Sequence, residues 1–353
     1  MIAARDADSW SRALGISREA VELYLASEVI DLHLDTFIWQ RIFGYELGRR
    51  HLRPPLAGWF LGHADFPRVR EAGLAAATWV ITTNPLREAS ERFPTLLANI
   101  ARMRAAFAAF GDDFAFARTY SDYRAARAQG KHAAFLGVQG GNALDGTPDA
   151  VERLPPLELL RVTLVHLSNS SIGLTSSPLR AGPDSGLSRF GRELVERLER
   201  ARIFVDLAHI SPRGFWDAVA AHDPSLPLLV THTGVQSVHR HWRNLDDSQI
   251  RAIAESGGVI GIMYHAGFIG PSLWRGRAES VIEHIAHVVR LVGPDYVALG
   301  SDFDGSIVPP RDLTSVLDLP RLVELMLGRG FSADTIQKIL GQNFLRVLAR
   351  VRP

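Results

Sequence analysis

The chain has 353 residues, and its 39 basic and 38 acidic side chains leave a formal net charge of +1. A net charge this close to zero gives no overall attraction to nucleic acid or to an anionic membrane surface, so neither partner is expected. Cysteine is absent, which excludes disulfides, thiolate zinc sites and a cysteine nucleophile. Residues 1–27 lack the apolar core of a signal peptide, and no apolar run reaches the roughly 18 residues of a membrane span, so a cytoplasmic protein is expected.

Short apolar runs alternate along the chain with longer amphipathic segments, which is the pattern of a parallel sheet with helices outside it. Eight runs are predicted to be strands, and eight parallel strands close a barrel. The predicted strands are residues 29–35, 75–82, 133–139, 162–167, 203–209, 228–232, 259–264 and 297–302. The sequence therefore predicts an α/β protein with one (β/α)8 TIM barrel domain over residues 1–353. Residues 114–118 could add a short extra strand.

Three further segments are expected outside the regular barrel. A helical extension is predicted at about residues 1–27, and long βα loops are predicted at residues 36–65 and 167–188. Loops that follow the strands of a TIM barrel lie over its catalytic face, so these two are expected to shape substrate selectivity.

Polar side chains stand at the carboxyl ends of the predicted strands. They are His33, Asp35, Gln139, His166, His209, His232 and Asp302. The carboxyl face of a TIM barrel collects such side chains from distant parts of the chain. Within one strand, residues i and i+2 point to the same side, so His33 and Asp35 can face one cation. Imidazole and carboxylate ligands suit zinc or a similar divalent ion.

Several longer fragments are more specific than any single polar residue. They include Gly186-Leu187-Ser188-Arg189-Phe190-Gly191-Arg192-Glu193, Asp206-Leu207-Ala208-His209-Ile210-Ser211, Thr231-His232-Thr233-Gly234-Val235, Arg243-Asn244, Gly300-Ser301-Asp302-Phe303-Asp304-Gly305 and Asn343-Phe344-Leu345-Arg346-Val347. In this order they resemble the membrane (renal) dipeptidase family of the amidohydrolase superfamily. The resemblance extends from about residue 29 to residue 347. It implies the amidohydrolase type of TIM barrel and metal-dependent cleavage of dipeptides or similar small amides.

The resemblance also implies a role for each matching residue. One metal ion would be held by His33, Asp35 and Asp302, and a second by His209 and His232. The nucleophile would be a metal-activated water, because coordination lowers the pKa of water to about 7.

The remaining implied roles concern the substrate. Asp302 would move the proton from water to the leaving amine. His166 would polarise the scissile carbonyl and stabilise the oxyanion, and Arg243, next to Asn244, would bind the free carboxylate of the substrate. The second acid of the Asp302-Phe303-Asp304 fragment is expected to orient its loop by hydrogen bonds.

The sequence departs from the family at Gln139, where the family has a glutamate that bridges two metal ions. An amide is neutral, and its nitrogen only donates, so Gln139 cannot bridge two cations with two oxygens. Lys131 and Lys338 are the two lysines, and neither is placed to supply a carbamylated bridge. One tight ion is therefore expected, held by His33, Asp35, Asp302 and His209, with His232 left for water or a second, weaker ion.

Alternatives to a dipeptidase stay open at this level. A single metal ion could instead serve hydrolysis of an N-acyl amino acid or a deamination. The altered residue Gln139 could also mark a catalytically silent barrel that binds a small ligand or a protein partner. Arg243 favours substrates with a free carboxylate over deaminase substrates. A homodimer is possible, as the resemblance to the family implies.

Overall fold

In the computed structural model, residues 6–51, 58–147, 149–178 and 183–353 are described. These ranges leave out residues 52–57 and 179–182, which belong to the two loops predicted to be long. Nine parallel strands form one sheet. They are β1 Ile30–Leu34, β2 Ala76–Thr82, β3 Phe114–Phe116, β4 His132–Gln139, β5 Arg161–Thr163, β6 Phe204–Asp206, β7 Leu229–Thr233, β8 Val259–Ile262 and β9 Val297–Leu299.

Eight of these strands close a barrel in the order β1, β2, β4, β5, β6, β7, β8 and β9, because β2 pairs with β4 and β9 returns to β1. This arrangement confirms the predicted (β/α)8 TIM barrel. The strand β3 pairs only with the start of β4, from Phe114 against His132 to Phe116 against Ala134. It is the extra strand anticipated at residues 114–118, and it lies outside the closed barrel.

Helices follow the strands and cover the outside of the barrel. They are α1 Ala7–Leu14, α2 Arg18–Leu25, α3 Phe37–Phe43, α4 Phe66–Ala72, α5 Ala89–Ala109, α6 Tyr120–Ala128, α7 Arg189–Arg200, α8 Pro212–Ala221, α9 Asp247–Glu255, α10 Ala266–Ile269, α11 Glu279–Val292, α12 Pro320–Gly328, α13 Ala333–Gln337 and α14 Asn343–Val351. In the part of the chain that the structure describes, no helix is long and apolar enough to cross a membrane.

Side chains near the strand starts form a buried cluster with the last helix. Ile30, Ala76 and Ala133 share this cluster with Phe344 and Val347 of α14. The apolar face of α14 therefore closes the amino end of the barrel. The opposite end stays open for the polar residues that follow the strands.

Several strands are shorter at their carboxyl ends than the apolar runs predict. The strand β6 ends at Asp206 and β9 ends at Leu299, whereas the predicted strands continue to His209 and Asp302. The backbone turns away in both cases, because His209 has φ 65° and Asp302 has φ 60°. Left-handed backbone at non-glycine residues is costly and concentrates at functional sites.

Arg352 links several chain segments at the amino end of the barrel, and its side chain is buried. Its guanidinium donates to the carbonyl oxygens of Arg202 and Leu159 at 2.6 Å, and to those of Arg118 and Leu157 at 3.2 Å. No carboxylate of the described residues pairs with it. Four backbone acceptors in three connections of the chain therefore depend on one cation.

We predict that Arg352→Met lowers the free energy of unfolding by about 2–4 kcal/mol, because buried carbonyls lose charged donors. The matched control is Arg350→Met, since Arg350 is exposed and donates only to the carbonyl of Ser225. The control is expected to cost less than about 1 kcal/mol. Urea denaturation followed by circular dichroism measures both, and equal losses would contradict the role given to Arg352.

Candidate metal centre

Three side chains at the carboxyl face have the spacing of metal ligands. His33, His232 and Asp302 each offer a ligand atom, and these atoms all lie within 4.8 Å of one another. All three residues are buried, and His33 Nε2 lies 3.6 Å from Asp302 Oδ1. His33 Nε2 is also a buried nitrogen without a hydrogen-bond partner. Two imidazoles and a carboxylate that converge in this way fit a divalent ion such as zinc.

The other two histidines expected at the site lie beside this triad. His209 Nε2 is 2.8 Å from His232 Nε2, and the rings of His166 and His209 meet edge to face with centroids 4.7 Å apart. The structure thus places His232 in the group with His33 and Asp302, a position that the sequence assigned to His209. His209 is adjacent to His232 and outside the triad.

Asp35 is not among the residues whose ligand atoms lie within 4.8 Å of one another, and its role as a metal ligand stays a prediction. Its carboxylate contacts neutral donors. Thr82 Oγ1 donates to Asp35 Oδ1 at 2.6 Å, and Gln139 Nε2 lies 3.4 Å from Asp35 Oδ2. The same amide nitrogen of Gln139 lies 3.1 Å from His166 Nε2. Gln139 therefore uses its two amide hydrogens to link Asp35 to His166. Its amide oxygen is buried and has no hydrogen-bond partner in the described structure, so it is the one atom of Gln139 that can still ligate a cation.

Burial dominates the electrostatics of the site. It holds the pKa values of His33, His209 and His232 well below the usual range, and it lowers the pKa of His166 to about 3. All four imidazoles are therefore neutral at pH 7, which is the form that binds a metal ion.

The carboxyl groups of the site respond to burial in the opposite direction. Burial raises the pKa of Asp35 to about 7 and holds the pKa of Asp302 well above its usual range, with the charge of Asp35 adding to the shift at Asp302. A cation between these groups would favour their charged forms, so metal binding is expected to release protons.

A buried arginine contacts His33 of the triad. Arg161 on β5 is fully buried, its Nη2 lies 2.8 Å from His33 Nδ1, and its Nη1 lies 3.1 Å from Asp206 Oδ2. The Arg161 side chain fits because Gly137 has no Cβ. A Cβ at this position would stand 3.0 Å from Arg161 Nε and 2.9 Å from the Thr78 side chain. Arg161 therefore fixes the ring of His33 and joins it to β6.

Two buried acids connect neighbouring strand ends. Asp31 Oδ1 accepts from the backbone N–H groups of His33 and Ser301, both at 3.0 Å. Asp206 Oδ1 likewise accepts from Ala208 at 3.1 Å and from Thr231 at 3.0 Å. Each acid stands two or three residues before a histidine of the site, so it holds the backbone segment that carries that histidine.

The loop after β1 is fastened by Asp304. Its Oδ1 accepts from the backbone N–H groups of Gly62 at 2.6 Å and His63 at 2.9 Å, and its Oδ2 accepts from Ala64 at 3.1 Å and from Thr36 Oγ1 at 2.6 Å. The expectation that Asp304 orients a loop by hydrogen bonds is confirmed.

Arg243 lies beside the triad, and Asn244 follows it in the chain. Arg243 is buried, its Nη2 donates to the carbonyl oxygen of His232 at 2.7 Å, and burial lowers its pKa to about 10, so it stays cationic at pH 7. Asn244 donates its amide hydrogens to the carbonyls of His239 and Phe268, both at 2.8 Å. Its buried amide oxygen has no hydrogen-bond partner. The role of Asn244 toward substrate stays a prediction.

Arg161, Asp31 and Asp206 were not predicted from the sequence to belong to the site. A signal was present for Arg161, because an arginine between Leu160 and Val162 interrupts an apolar run that a barrel buries. The two acids sit in the same fragments as His33 and His209. An acid inside a buried strand needs donors, and here the donors are the backbone of the neighbouring strand ends.

A TIM barrel with an imidazole and carboxylate triad at its carboxyl face is the arrangement of the amidohydrolase type. A model of the membrane dipeptidase family, peptidase family M19, matches residues 17–352, so the chain belongs to this family. The resemblance stated from the sequence is thereby confirmed. Membership in a metallopeptidase family implies a divalent metal ion, and the converging ligand atoms of His33, His232 and Asp302 fit one.

Individual relatives agree with this assignment. Dipeptidase tcpJ of Claviceps purpurea (strain 20.1) is 28% identical over 301 residues, which cover 82% of this chain and 69% of that protein. An uncharacterized protein in the pqqA 5' region of Klebsiella pneumoniae is 36% identical over 177 residues, which cover 48% of this chain and 63% of the relative. A solved metallopeptidase from Rhodobacter sphaeroides, liganded with a phosphinate mimic of the dipeptide L-Ala-D-Ala, has 26% identity and a TM-score of 0.81 over 92% of this chain and 99% of that one.

We predict that Gln139→Glu destabilises the metal-free protein and raises occupancy of a second metal site. The new carboxylate would stand near Asp35, where two charges about 4 Å apart repel by about 4 kcal/mol at an effective dielectric of 20. Added zinc should therefore raise the melting temperature of this variant more than that of the unmodified protein.

Thermal denaturation with and without zinc, together with elemental analysis, measures both effects. The control is Gln129→Glu, because Gln129 is exposed at the end of α6. Two equally tight ions in the unmodified protein would show that the bridging charge does not decide the metal count.

Proposed function

We propose that this chain is a metal-dependent hydrolase that cleaves dipeptides or similar small amides with a free carboxylate. The observation that carries the proposal is the buried triad of His33, His232 and Asp302 in a chain of the M19 family. Zinc is the ion proposed, since neutral imidazole and carboxylate are ligands that it accepts. Location in the cytoplasm and assembly as a homodimer stay predictions, which cell fractionation and light scattering would check.

A bound divalent ion would supply an activated water and would polarise the scissile carbonyl. The chain's own contribution begins with Asp302, whose carboxylate is proposed to take a proton from the attacking water and to give it to the leaving amine. The buried walls exclude bulk water, so each charge inside acts at a lower dielectric than at the surface.

His166 is proposed to stabilise the oxyanion. It is neutral at pH 7 because burial, and then the charge of Arg243, lowers its pKa to about 3. A neutral imidazole can donate one N–H to a developing negative charge. The amide nitrogen of Gln139 lies 3.1 Å from His166 Nε2. Because an amide nitrogen only donates, Nε2 is the ring nitrogen of His166 that accepts.

Arg243 is proposed to bind the terminal carboxylate of the substrate. One of its nitrogens is occupied by the carbonyl of His232, which leaves other guanidinium donors for a ligand. This contact also fixes the direction of the guanidinium relative to the triad. A substrate carboxylate on Arg243 would therefore place the neighbouring peptide bond toward His232 and His166.

We predict that Arg243→Ala lowers kcat/KM for carboxylate-bearing dipeptides by the equivalent of about 2–5 kcal/mol, the loss expected for one partner of a buried charge pair. Amidated dipeptides should be poor substrates for the unmodified protein and nearly indifferent to the change. Arg240→Ala is the control, because Arg240 is exposed. Equal losses on acid and amide substrates would contradict the assignment.

We predict that His166→Ala lowers kcat by about a hundredfold or more and leaves metal content intact, because it removes an oxyanion donor and no ligand of the triad. Steady-state kinetics and elemental analysis of the same preparation measure this. Loss of metal together with activity would instead make His166 part of the metal centre.

A catalytically silent barrel is the competing proposal, and Gln139 is the observation that favours it. A panel of dipeptides with L and D carboxy-terminal residues, supplied with zinc, manganese or cobalt, separates the two proposals. Turnover of any member supports the hydrolase. No turnover across the panel supports the silent barrel. Turnover of N-acyl amino acids alone would point to the single-metal alternative considered from the sequence.

A further inference from the structure

A cavity of about 550 Å³ opens beside the metal centre, with His166 in its wall. Loops after β1, β2, β4 and β5 form its sides together with α5. Its volume lies within the range of small-molecule sites, about 300–1,000 Å³. Three guanidinium groups line it: Arg41 of α3, Arg87 after β2 and Arg102 of α5. Among the described residues that line this cavity, none is an aspartate or a glutamate.

The three arginines, which we call the arginine pocket, differ from their neighbours on α5 in having no ion pair. Arg92 pairs with Asp145 at 3.1 Å and Arg104 pairs with Glu158 at 3.5 Å. Arg41, Arg87 and Arg102 pair with no carboxylate of the described chain. The nearby carboxylate of Asp35 is already held by Thr82 and Gln139. The arginine pocket therefore carries uncompensated positive charge.

Arg41 is the anchor of the pocket. Its side chain is partly buried, its Nη2 donates to the carbonyl of Thr82 at 2.8 Å, and its buried Nε has no hydrogen-bond partner. Burial lowers the pKa of this guanidinium, Asp35 opposes the shift, and the charges of Arg87 and Arg102 add to it. Like charges held together in this way cost free energy, which an anionic ligand would offset.

The position of the pocket in the barrel relates it to one end of the substrate. Arg243 follows β7, and β2 lies four strands from β7 in either direction around the closed barrel. The arginine pocket is built mainly from the segments after β1 and β2, so it faces Arg243 across the barrel mouth. A dipeptide whose terminal carboxylate lies on Arg243 extends its first residue toward the pocket.

We propose that the arginine pocket binds a side-chain carboxylate on the amino-terminal residue of the substrate, so that dipeptides beginning with glutamate or aspartate are preferred. The proposal rests on the proposed function for the orientation of the substrate. Planar guanidinium groups match a carboxylate with paired hydrogen bonds. A neutral amide of the same shape would leave the pocket's charge uncompensated. The pocket thus discriminates by charge rather than by size.

The test compares Glu-Ala with its neutral isostere Gln-Ala and with the reversed peptide Ala-Glu, using metal-supplied protein. We expect kcat/KM for Glu-Ala to exceed that for Gln-Ala by about ten- to a hundredfold, as for hydrogen bonds to a charged group. Arg102→Gln should remove most of this preference by raising KM for Glu-Ala, with a much smaller effect on Gln-Ala. Arg104→Gln is the matched control on the same helix, because Arg104 pairs with Glu158.

Equal turnover of Glu-Ala and Gln-Ala would overturn the proposal, and so would equal effects of Arg102→Gln and Arg104→Gln. Preference for Ala-Glu over Glu-Ala would overturn the orientation. If no dipeptide is cleaved, the proposed function fails, and calorimetry with glutarate then tests the pocket alone. Binding that Arg102→Gln and Arg87→Gln each weaken supports it, whereas no binding, or binding indifferent to both changes, overturns it.

Discussion

Burial of ionisable groups at the carboxyl face is the constraint on which the rest of this structure depends. The carboxyl ends of β1, β7 and β9 bring His33, Asp35, His232 and Asp302 into a space with almost no water contact. A buried carboxylate or imidazole without a partner is costly, so the surrounding chain is arranged to supply partners. Arg161 contacts the ring of His33, and Asp31 and Asp206 accept from backbone N–H groups at neighbouring strand ends. The nitrogen of His33 that faces Asp302 is left for a cation.

Gln139 changes this balance without disturbing the shape of the site. A glutamate there would add a second charge beside Asp35, which only metal ions could offset. The amide instead donates to Asp35 and to His166, so hydrogen bonds hold these side chains together. We therefore expect a centre that is more stable without metal and that binds fewer ions.

Much of the fold could be predicted from the sequence, because apolar runs and barrel closure are local and periodic properties. The predicted strand ends failed at His209 and Asp302, where the backbone turns into left-handed conformations that no apolar pattern reveals. The strand β3 could be anticipated but not assigned, because three residues are too few to show the alternation of a strand.

The candidate site, like the fold, could be predicted only in part. Residue types at strand ends were sufficient to name the side chains that converge. Their partners were not predictable, because the contact between Gln139 and Asp35 joins residues 104 positions apart. The arginine pocket combines residues from α3, α5 and the loop after β2, and its unpaired charge becomes visible only when the ion pairs of the neighbouring arginines are known.

His33, His232 and Asp302 are proposed to hold one divalent ion, while Gln139 is proposed to keep binding of a second ion weak. Anomalous diffraction from crystals of the unmodified protein grown with zinc tests this most directly. We predict one strong peak within coordinating distance of His33 Nε2 and a carboxylate oxygen of Asp302. Two peaks of equal height, or no peak between these residues, would contradict it.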